Sequence, residues 1–405
     1  MNDISGKFDF DSAERLNPAK TARMLFRLVR ASQPISRIEL ARRMDVNRST
    51  VTDIVKPLIA SGILREQPFQ TDDAARVQGR PPIALSYADE RDFFVGVNLG
   101  VRHSQVGVAT ISGEILAEEE FVTPSEPAQA IKKARENIEK LCAGVTGRTL
   151  RAIGVSVPGP TDAERRKLLY APHLGWNNLA IADALKFGDA PVIVENDATA
   201  AAMYEARLKL RNAENGSTSD FVLVRSGTGI GVGLIIDGEV YRGTGRGRGS
   251  AGEFGHMTIV AGGKPCVCGN RGCWEKYASA ASAASLYTGD RMVHAGEKLP
   301  RFVEIVGRAE GGEIRAQKTL ERIGEYLGIG IANMIMGIGV PNVIISGRLV
   351  YGWKFINYPL REAIKKSIVG KMHGWTIECG EPKGSALGGA LEVAIEEFIA
   401  SGLTV

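Results

Sequence analysis

Phe221-Val222-Leu223-Val224-Arg225-Ser226-Gly227-Thr228-Gly229-Ile230-Gly231, running on to Asp237-Gly238-Glu239-Val240, is the stretch that decides the fold. An apolar, β-branched run ends in a glycine turn, a second apolar run returns from Gly231 to Ile236, and Asp237-Gly238 closes a hairpin. The same plan occurs earlier. Phe94-Val95-Gly96-Val97-Asn98-Leu99-Gly100, the run from Val106 to Ile111, and Ser112-Gly113-Glu114-Ile115 repeat strand, glycine turn, strand and hairpin turn. A helical pattern over residues 127–142 lies between the copies, so the spacing predicts two similar α/β lobes facing a cleft.

Glycine turns at strand ends let a backbone approach a ligand phosphate, which is how an actin-like kinase fold holds ATP between its lobes. Read alone, residues 227–231 also suit a simple tight hairpin. The chain has 405 residues, too many for one compact core. Its apolar and charged fractions are those of an ordinary globular protein. The first residues, Met1-Asn2-Asp3-Ile4-Ser5-Gly6-Lys7, hold neither the basic nor the apolar segment of an export signal, so a cytoplasmic location is expected. The most apolar stretch, Leu327 to Ile345, contains four glycines, Asn333, Pro341 and Asn342, and is read as a buried helix followed by a buried strand, with no membrane partner.

Charge is unevenly distributed. Residues 17–65 hold Lys20, Arg23, Arg27, Arg30, Arg37, Arg42, Arg43, Arg48, Lys56 and Arg65 against Glu39, Asp45 and Asp53, a charge of +7 in a chain whose total is +4. A polyanion partner is expected for this segment alone. Three amphipathic patterns follow one another in it. Ala22, Leu25, Phe26 and Val29 mark the first. The second opens with Ser36-Arg37-Ile38-Glu39, a capping box, and buries Leu40, Ala41 and Met44. The third starts near Arg48, turns Val51, Ile54, Val55, Leu58 and Ile59 inward, and ends at Ser61-Gly62. Two short helices and a tight turn make a helix-turn-helix. Opposite the apolar stripe stand Arg48, Ser49, Thr50, Thr52 and Lys56, a recognition-helix set for base edges and phosphates. Pro57 predicts a kink or an early end. Ile63-Leu64 and Ile83-Ala84-Leu85 read as strands flanking a wing, and Gly79-Arg80-Pro81-Pro82 resembles an element that lays Arg80 in a minor groove. The same helices could also be an interaction module with a solvated arginine face.

A third feature is chemical. Gly255-His256 is followed, after nine intervening residues, by Cys266-Val267-Cys268-Gly269-Asn270-Arg271-Gly272-Cys273. One histidine and three cysteines supply the four N/S ligands that tetrahedral zinc prefers, and a closed set of this kind is structural. A Cys-x-Cys pair is awkward to bridge as a disulfide. Cys142 and Cys379 are read as buried thiols.

Ala251-Gly252-Glu253-Phe254-Gly255-His256, then Cys266-x-Cys268-Gly269-x-x-Gly272-Cys273-x-Glu275, resembles the ROK family, which unites bacterial sugar kinases with sugar-responsive repressors. Val157-Pro158-Gly159-Pro160, Gly175-Trp176-Asn177, Glu195-Asn196-Asp197-Ala198, Gly227 to Gly231 and Gly384-Ser385-Ala386-Leu387-Gly388-Gly389-Ala390 extend the likeness from about residue 92 to the end. The N-terminal helix-turn-helix matches the repressor branch. The resemblance implies that Asn196, Asp197, Glu253, His256, Glu275 and Asn177 meet sugar hydroxyls, that Trp176 shapes the wall, and that Asp197 stands in the place of the kinase general base. Asp197 also suits an N-terminal cap for the helix that follows.

Kinase members carry Asp-x-Gly-Gly-Thr in the first glycine turn. Here it reads Asn98-Leu99-Gly100-Val101-Arg102, without the charge for Mg²⁺, the second glycine or the hydroxyl. Arg225 precedes the second turn, and Ser346-Gly347-Arg348 stands where kinases have a glycine pair. Gly100, Gly227, Thr228 and Gly229 are therefore read as a vestigial nucleotide site, ATP and Mg²⁺ are not expected as cofactors, and no catalytic residue is expected. An α/β architecture follows: a winged helix-turn-helix at 17–87, and an actin-like ATPase (ribonuclease H-like) domain with lobes at 92–200 and 201–384. The helix of about 385–405 should pack back on the first lobe. The expected function is a sugar-responsive transcription repressor, a homodimer or homotetramer on double-stranded operator DNA. A sugar kinase with a regulatory head is the alternative.

Overall fold

The structure is a computed structural model, and it describes residues 18–68, 83–212, 220–247, 249–289, 299–372, 374–380 and 384–401. The head consists of α1 (Pro18–Ser32), β1 (Ile35–Ser36), α2 (Arg37–Met44), α3 (Arg48–Ala60), β2 (Leu64–Pro68) and β3 (Ile83–Tyr87). Leu25, Leu28, Val29, Leu40, Val51, Val55 and Leu58 form its buried stripe. Ser36 caps α2 by accepting from Glu39 N, as its position predicts. The reciprocal half of the box differs: the Glu39 carboxylate pairs with Arg42, while Ser36 is held in the β1–β3 ladder. The helix α3 runs on past Pro57 for three residues, with Pro57 on its exposed side, so the expected early end does not occur. The second strand extends to Pro68, longer than the Ile63-Leu64 pattern, and Arg80 with its neighbours Gly79, Pro81 and Pro82 lies outside the described residues.

The first lobe follows as β4 (Asp92–Leu99), β5 (His103–Ala109), β6 (Ile115–Val122), α4 (Pro127–Ala143), β7 (Thr149–Val157), β8 (Leu168–Ala171), β9 (Trp176–Leu179), α5 (Ile181–Ala184), β10 (Val192–Asn196) and α6 (Asp197–Asn212). The second comprises β11 (Phe221–Ser226), β12 (Ile230–Ile236), β13 (Glu239–Val240), α7 (Glu275–Ala278), α8 (Ser282–Thr288), α9 (Phe302–Glu310), α10 (Ile314–Ile338), β14 (Asn342–Gly347), α11 (Trp353–Lys365) and β15 (Thr376–Cys379). The last helix is α12 (Ser385–Ser401).

The sheets run β6-β5-β4-β7-β10 and β13-β12-β11-β14-β15. In each, three antiparallel strands are followed by two that pair in parallel, so the sequence repeat is a topological duplication. The helix α12 lies on the first sheet, where Leu387, Leu391 and Ile395 share a core with Phe94 and Ala109. The boundary expected at residue 200 falls inside α6, which packs on both β10 and β12 and so ties the lobes together. The apolar stretch near residue 330 is the buried half of α10, followed by β14. Among the described residues no helix is long and apolar enough to cross a membrane.

The head is not a separate bead. Leu25, Phe26 and Val29 of α1 belong to the same buried cluster as Leu387, Leu391 and Ile395 of α12. Arg30, buried, pairs with Glu392 of α12, and Arg27 reaches both Glu396 and Glu239. Arg43 donates to Leu210 O of α6 at 2.6 Å. Three of the ten cations in the basic segment are thus turned toward the large domain, because side chains on two faces of α1 and α2 must meet different partners.

Candidate functional site

A cavity of about 1050 Å³ opens between the lobes, lined by the ends of β4, β11 and β14 and the start of α6. Asn196, Asp197, Glu253, His256 and Glu275 all line it, although they come from three separate segments. Asn196 is the cap of α6: its Oδ1 accepts from Ala198 N at 2.9 Å and Thr199 N at 3.1 Å, and its Nδ2 donates to Gly159 O. The cap read for Asp197 thus belongs to Asn196, and the Asp197 carboxylate meets Arg225, whose Nη1 donates to Oδ2 at 2.6 Å. Glu195, on the other side of the strand, is held by Arg242 at 2.7 Å and Arg165 at 3.3 Å.

Glu253 enters on a turn that presses against β12. Gly252 has φ +103°, and a Cβ there would stand 2.1 Å from Val232 O, so only glycine lets the loop approach this closely. Burial, with Asp197 and Glu275 alongside, pushes the Glu253 carboxyl up to about 7. Glu275 starts α7 and is 3% exposed. Burial alone would raise its carboxyl, but hydrogen bonds from His173 and Cys266 and the charge of His256 outweigh it, and the group lies below the usual range. Its Oε2 is 3.4 Å from His173 Nε2.

His173 is a cleft residue that the sequence reading missed. The only signal was its position two residues before Gly175-Trp176-Asn177, and those residues do not line the cleft. Trp176, 2% exposed, donates its indole N–H to Ser125 O inside the first lobe. Asn177 stands exposed in the β8–β9 hairpin, opposite Tyr170. The hairpin register sends alternate side chains inward and outward, which places the tryptophan in the core and the asparagine in solvent.

His256, Cys266, Cys268 and Cys273 bring their donor atoms within 4.8 Å of one another, a group that could hold a metal ion. Cys266 Sγ is 3.6 Å from His256 Nδ1, Cys268 Sγ is 3.7 Å from Cys273 Sγ, and Cys266 lies 3.1 Å from Glu275 Oε1. Trp274, fully buried, anchors the loop by donating to Tyr326 O of α10 at 2.8 Å. Cys142 is half-buried, whereas Cys379, expected inside, is exposed at the end of edge strand β15.

The glycine-turn residues Gly100, Gly227, Thr228 and Gly229 line the cavity together with Arg102, Arg225 and Arg348. Asn98 is buried and accepts from Ser156 Oγ at 3.0 Å, which occupies its carbonyl inside the sheet. In the head, Arg48, Ser49, Thr52 and Lys56 are exposed along one side of α3, with Thr50 half-buried and Thr52 Oγ1 bonded back to Arg48 O.

The molecule has two lobes of duplicated topology around a carboxylate-rich cleft with a His/Cys loop at its side. The ROK family profile matches residues 94–396, and the chain belongs to the ROK family. Curated relatives include a xylose repressor from Bacillus spizizenii, 27% identical over 354 residues, covering 85% of this chain and 86% of that one. The DNA-binding transcriptional dual regulator NagC of Escherichia coli is 28% identical over 347 residues, covering 84% and 82%. Among solved structures, a ROK family transcriptional regulator described as a homolog of the E. coli MLC protein aligns with TM-score 0.73 over 95% of this chain and 97% of its own, at 24% identity. A ROK glucokinase from Streptomyces griseus with glucose and AMPPNP aligns with TM-score 0.62 at 26% identity, over 75% of this chain and 99% of its own.

Proposed function

We propose that this protein is a sugar-responsive, DNA-binding transcription repressor, acting as a homo-oligomer in the cytoplasm and relieved by a sugar bound between its lobes. The observation that carries this reading is the pairing of Asp197 with Arg225 in a cleft that keeps Asn196, Glu253, His256 and Glu275. Carboxylates and an amide suit vicinal hydroxyls, each accepting or donating in pairs. To serve as a kinase base Asp197 would have to offer its carboxylate to the accepting hydroxyl, and Arg225 already occupies Oδ2 at 2.6 Å. Asn98 lacks the charge that would help hold Mg²⁺, and Val101 adds a Cβ where a nucleotide phosphate needs close backbone approach, so the first glycine turn is poorly made for Mg²⁺-ATP. The names of the relatives, xylose repressor and NagC, point the same way.

The head supports a reading mode in which α3 enters the major groove with Arg48, Ser49, Thr50, Thr52 and Lys56, and Arg80 reaches the minor groove from the wing. Two heads are needed for two half-sites, hence the oligomer. Zinc is the ion that suits His256, Cys266, Cys268 and Cys273: with Zn–S of about 2.3 Å, tetrahedral edges are about 3.8 Å between sulfurs and about 3.6 Å between sulfur and nitrogen. The distances of 3.7 and 3.6 Å fit those edges. Bound zinc would keep the cysteines as thiolates and fix the loop that carries Glu253 and Glu275.

The test is DNA binding. Fragments selected by the purified protein from random duplexes are titrated by fluorescence anisotropy with and without xylose, glucose and N-acetylglucosamine, free and phosphorylated. At least one should weaken binding, since a ligand shifts the equilibrium only through different affinities for the two states. No change with any of them would overturn the reading.

A further inference from the structure

Three guanidinium groups gather on the side of the cleft where a kinase would hold its phosphate donor. Arg102 is the last residue of the turn from β4 to β5, Arg225 lies in β11, and Arg348 begins the turn after β14. The β11–β14 ladder pairs Arg225 with Ser346 and Ser226 with Gly347, so Arg225 and Arg348 leave adjacent strand ends. Gly347 fixes this approach, because a Cβ on it would stand 2.4 Å from Ser226 O.

The three arginines are poor in counter-charge. Arg225 has Asp197 as partner, and its Nε is buried without one. Among the described residues the side chains of Arg102 and Arg348 make no hydrogen bond or ion pair. The nearby rim carboxylate, Glu120, is engaged by His103 at 3.2 Å and Gln105 at 3.3 Å. Burial, then the charges of Arg102 and Arg225, holds the Arg348 guanidinium below its ordinary value, which shows that the like charges feel one another. The same cavity is also lined by Glu253 and Glu275, groups for hydroxyls.

Phosphoryl transfer places the new phosphate between the acceptor's base and the glycine turns. A ligand that already carries a phosphate at that hydroxyl would put it beside Asp197, and the Arg225 pairing removes the repulsion that a free carboxylate would exert.

We propose that the effector is a phosphorylated sugar, its hydroxyls on Asn196, Glu253 and Glu275 and its phosphate on Arg102, Arg225 and Arg348. This rests on the sugar-sensing reading above and narrows it to an anionic ligand. Arginine suits the role because its planar fork meets phosphate oxygens in pairs. The site is the vestigial donor side of the cleft, turned from holding a nucleotide to holding the ester.

Calorimetric titration of the full-length protein tests it with glucose, N-acetylglucosamine and xylose, with glucose 6-phosphate, N-acetylglucosamine 6-phosphate and xylose 5-phosphate, and with glucuronate and ADP. One phosphate ester should bind at least about tenfold tighter than its parent sugar, with the advantage shrinking as salt rises. The double variant Arg102→Ala/Arg348→Ala, which removes no side-chain hydrogen bond or ion pair among the described residues, should bring the ratio of ester to parent close to one. A parent sugar that binds as tightly as its ester, or a preference unchanged in the double variant, would overturn the proposal and leave the sugar-sensing reading standing. Tighter binding of glucuronate or of ADP than of any ester would overturn it too. Failure of every sugar and ester to bind would remove both readings.

Discussion

Asp197 Oδ2 lies 2.6 Å from Arg225 Nη1, joining the start of α6 to the end of β11 across the mouth of the cleft. An aspartate at a helix start beside a sugar cleft is well placed to meet a sugar hydroxyl, and here the arginine takes up one of its carboxylate oxygens. With Mg²⁺-ATP and a panel of sugars, no sugar-dependent ADP release is expected. Arg225→Ala should not create any, because Asn98, Val101 and Arg102 remain at the first glycine turn. Turnover that Asp197→Asn abolishes would make the protein a kinase.

Removing one ligand of the His/Cys loop should act on metal and stability together. Cys268→Ser is expected to lower zinc content by mass spectrometry and to reduce the melting temperature by about 5 °C or more, and a chelator should do the same to the parent protein. Full stoichiometric metal in the variant would remove Cys268 from the ligand set.

Gly229 is confined by the cleft itself: a Cβ would stand 2.2 Å from Glu275 Oε2 and 3.1 Å from His173 Nε2. Gly229→Ala should displace Glu275 and cost about tenfold or more in effector affinity, the order expected of overpacking. DNA affinity without effector should stay as it is, since Gly229 touches no part of the head. An effector affinity equal to the parent's would show that Glu275 is not a ligand.

The weld between head and sensor rests on Glu392, which meets Arg30 and Arg207 and is itself buried. Glu392→Leu leaves two guanidiniums without their shared counter-charge, and the loss of stability should be about 3–5 kcal/mol, read by denaturant unfolding. A change under about 1 kcal/mol would mean that the pair is solvated and the interface open.

Arg48 is exposed at the start of α3, and among the described residues its side chain makes no hydrogen bond or ion pair with the large domain. Arg48→Glu should weaken operator binding by about tenfold at low salt and flatten the logarithmic salt dependence by about one, leaving effector affinity unchanged. Equal DNA affinity would move the reading surface elsewhere.

The chain's periodicities were enough for the architecture. Alternating apolar runs with glycine turns at 94–115 and 221–240 specify strands and hairpins locally, so the duplication was legible before any packing was known. The same holds for His256, Cys266, Cys268 and Cys273, whose short spacing brings the donors together with little help from the rest of the chain. What sequence spacing does not encode is the direction of a long or isolated side chain. Trp176 points into the first lobe and Asn177 into solvent because the β8–β9 register decides between them. His173 reaches Glu275, a hundred residues away, only once the lobes meet. Arg27, Arg30 and Arg43 read as DNA-facing charge by composition, yet packing α1 against α12 turns them onto Glu239, Glu392, Glu396 and a backbone carbonyl. Local order follows from nearest neighbours along the chain. The charge balance of the cleft, and the joining of the head to it, come from contacts between segments far apart in sequence, and those were decided by the tertiary structure.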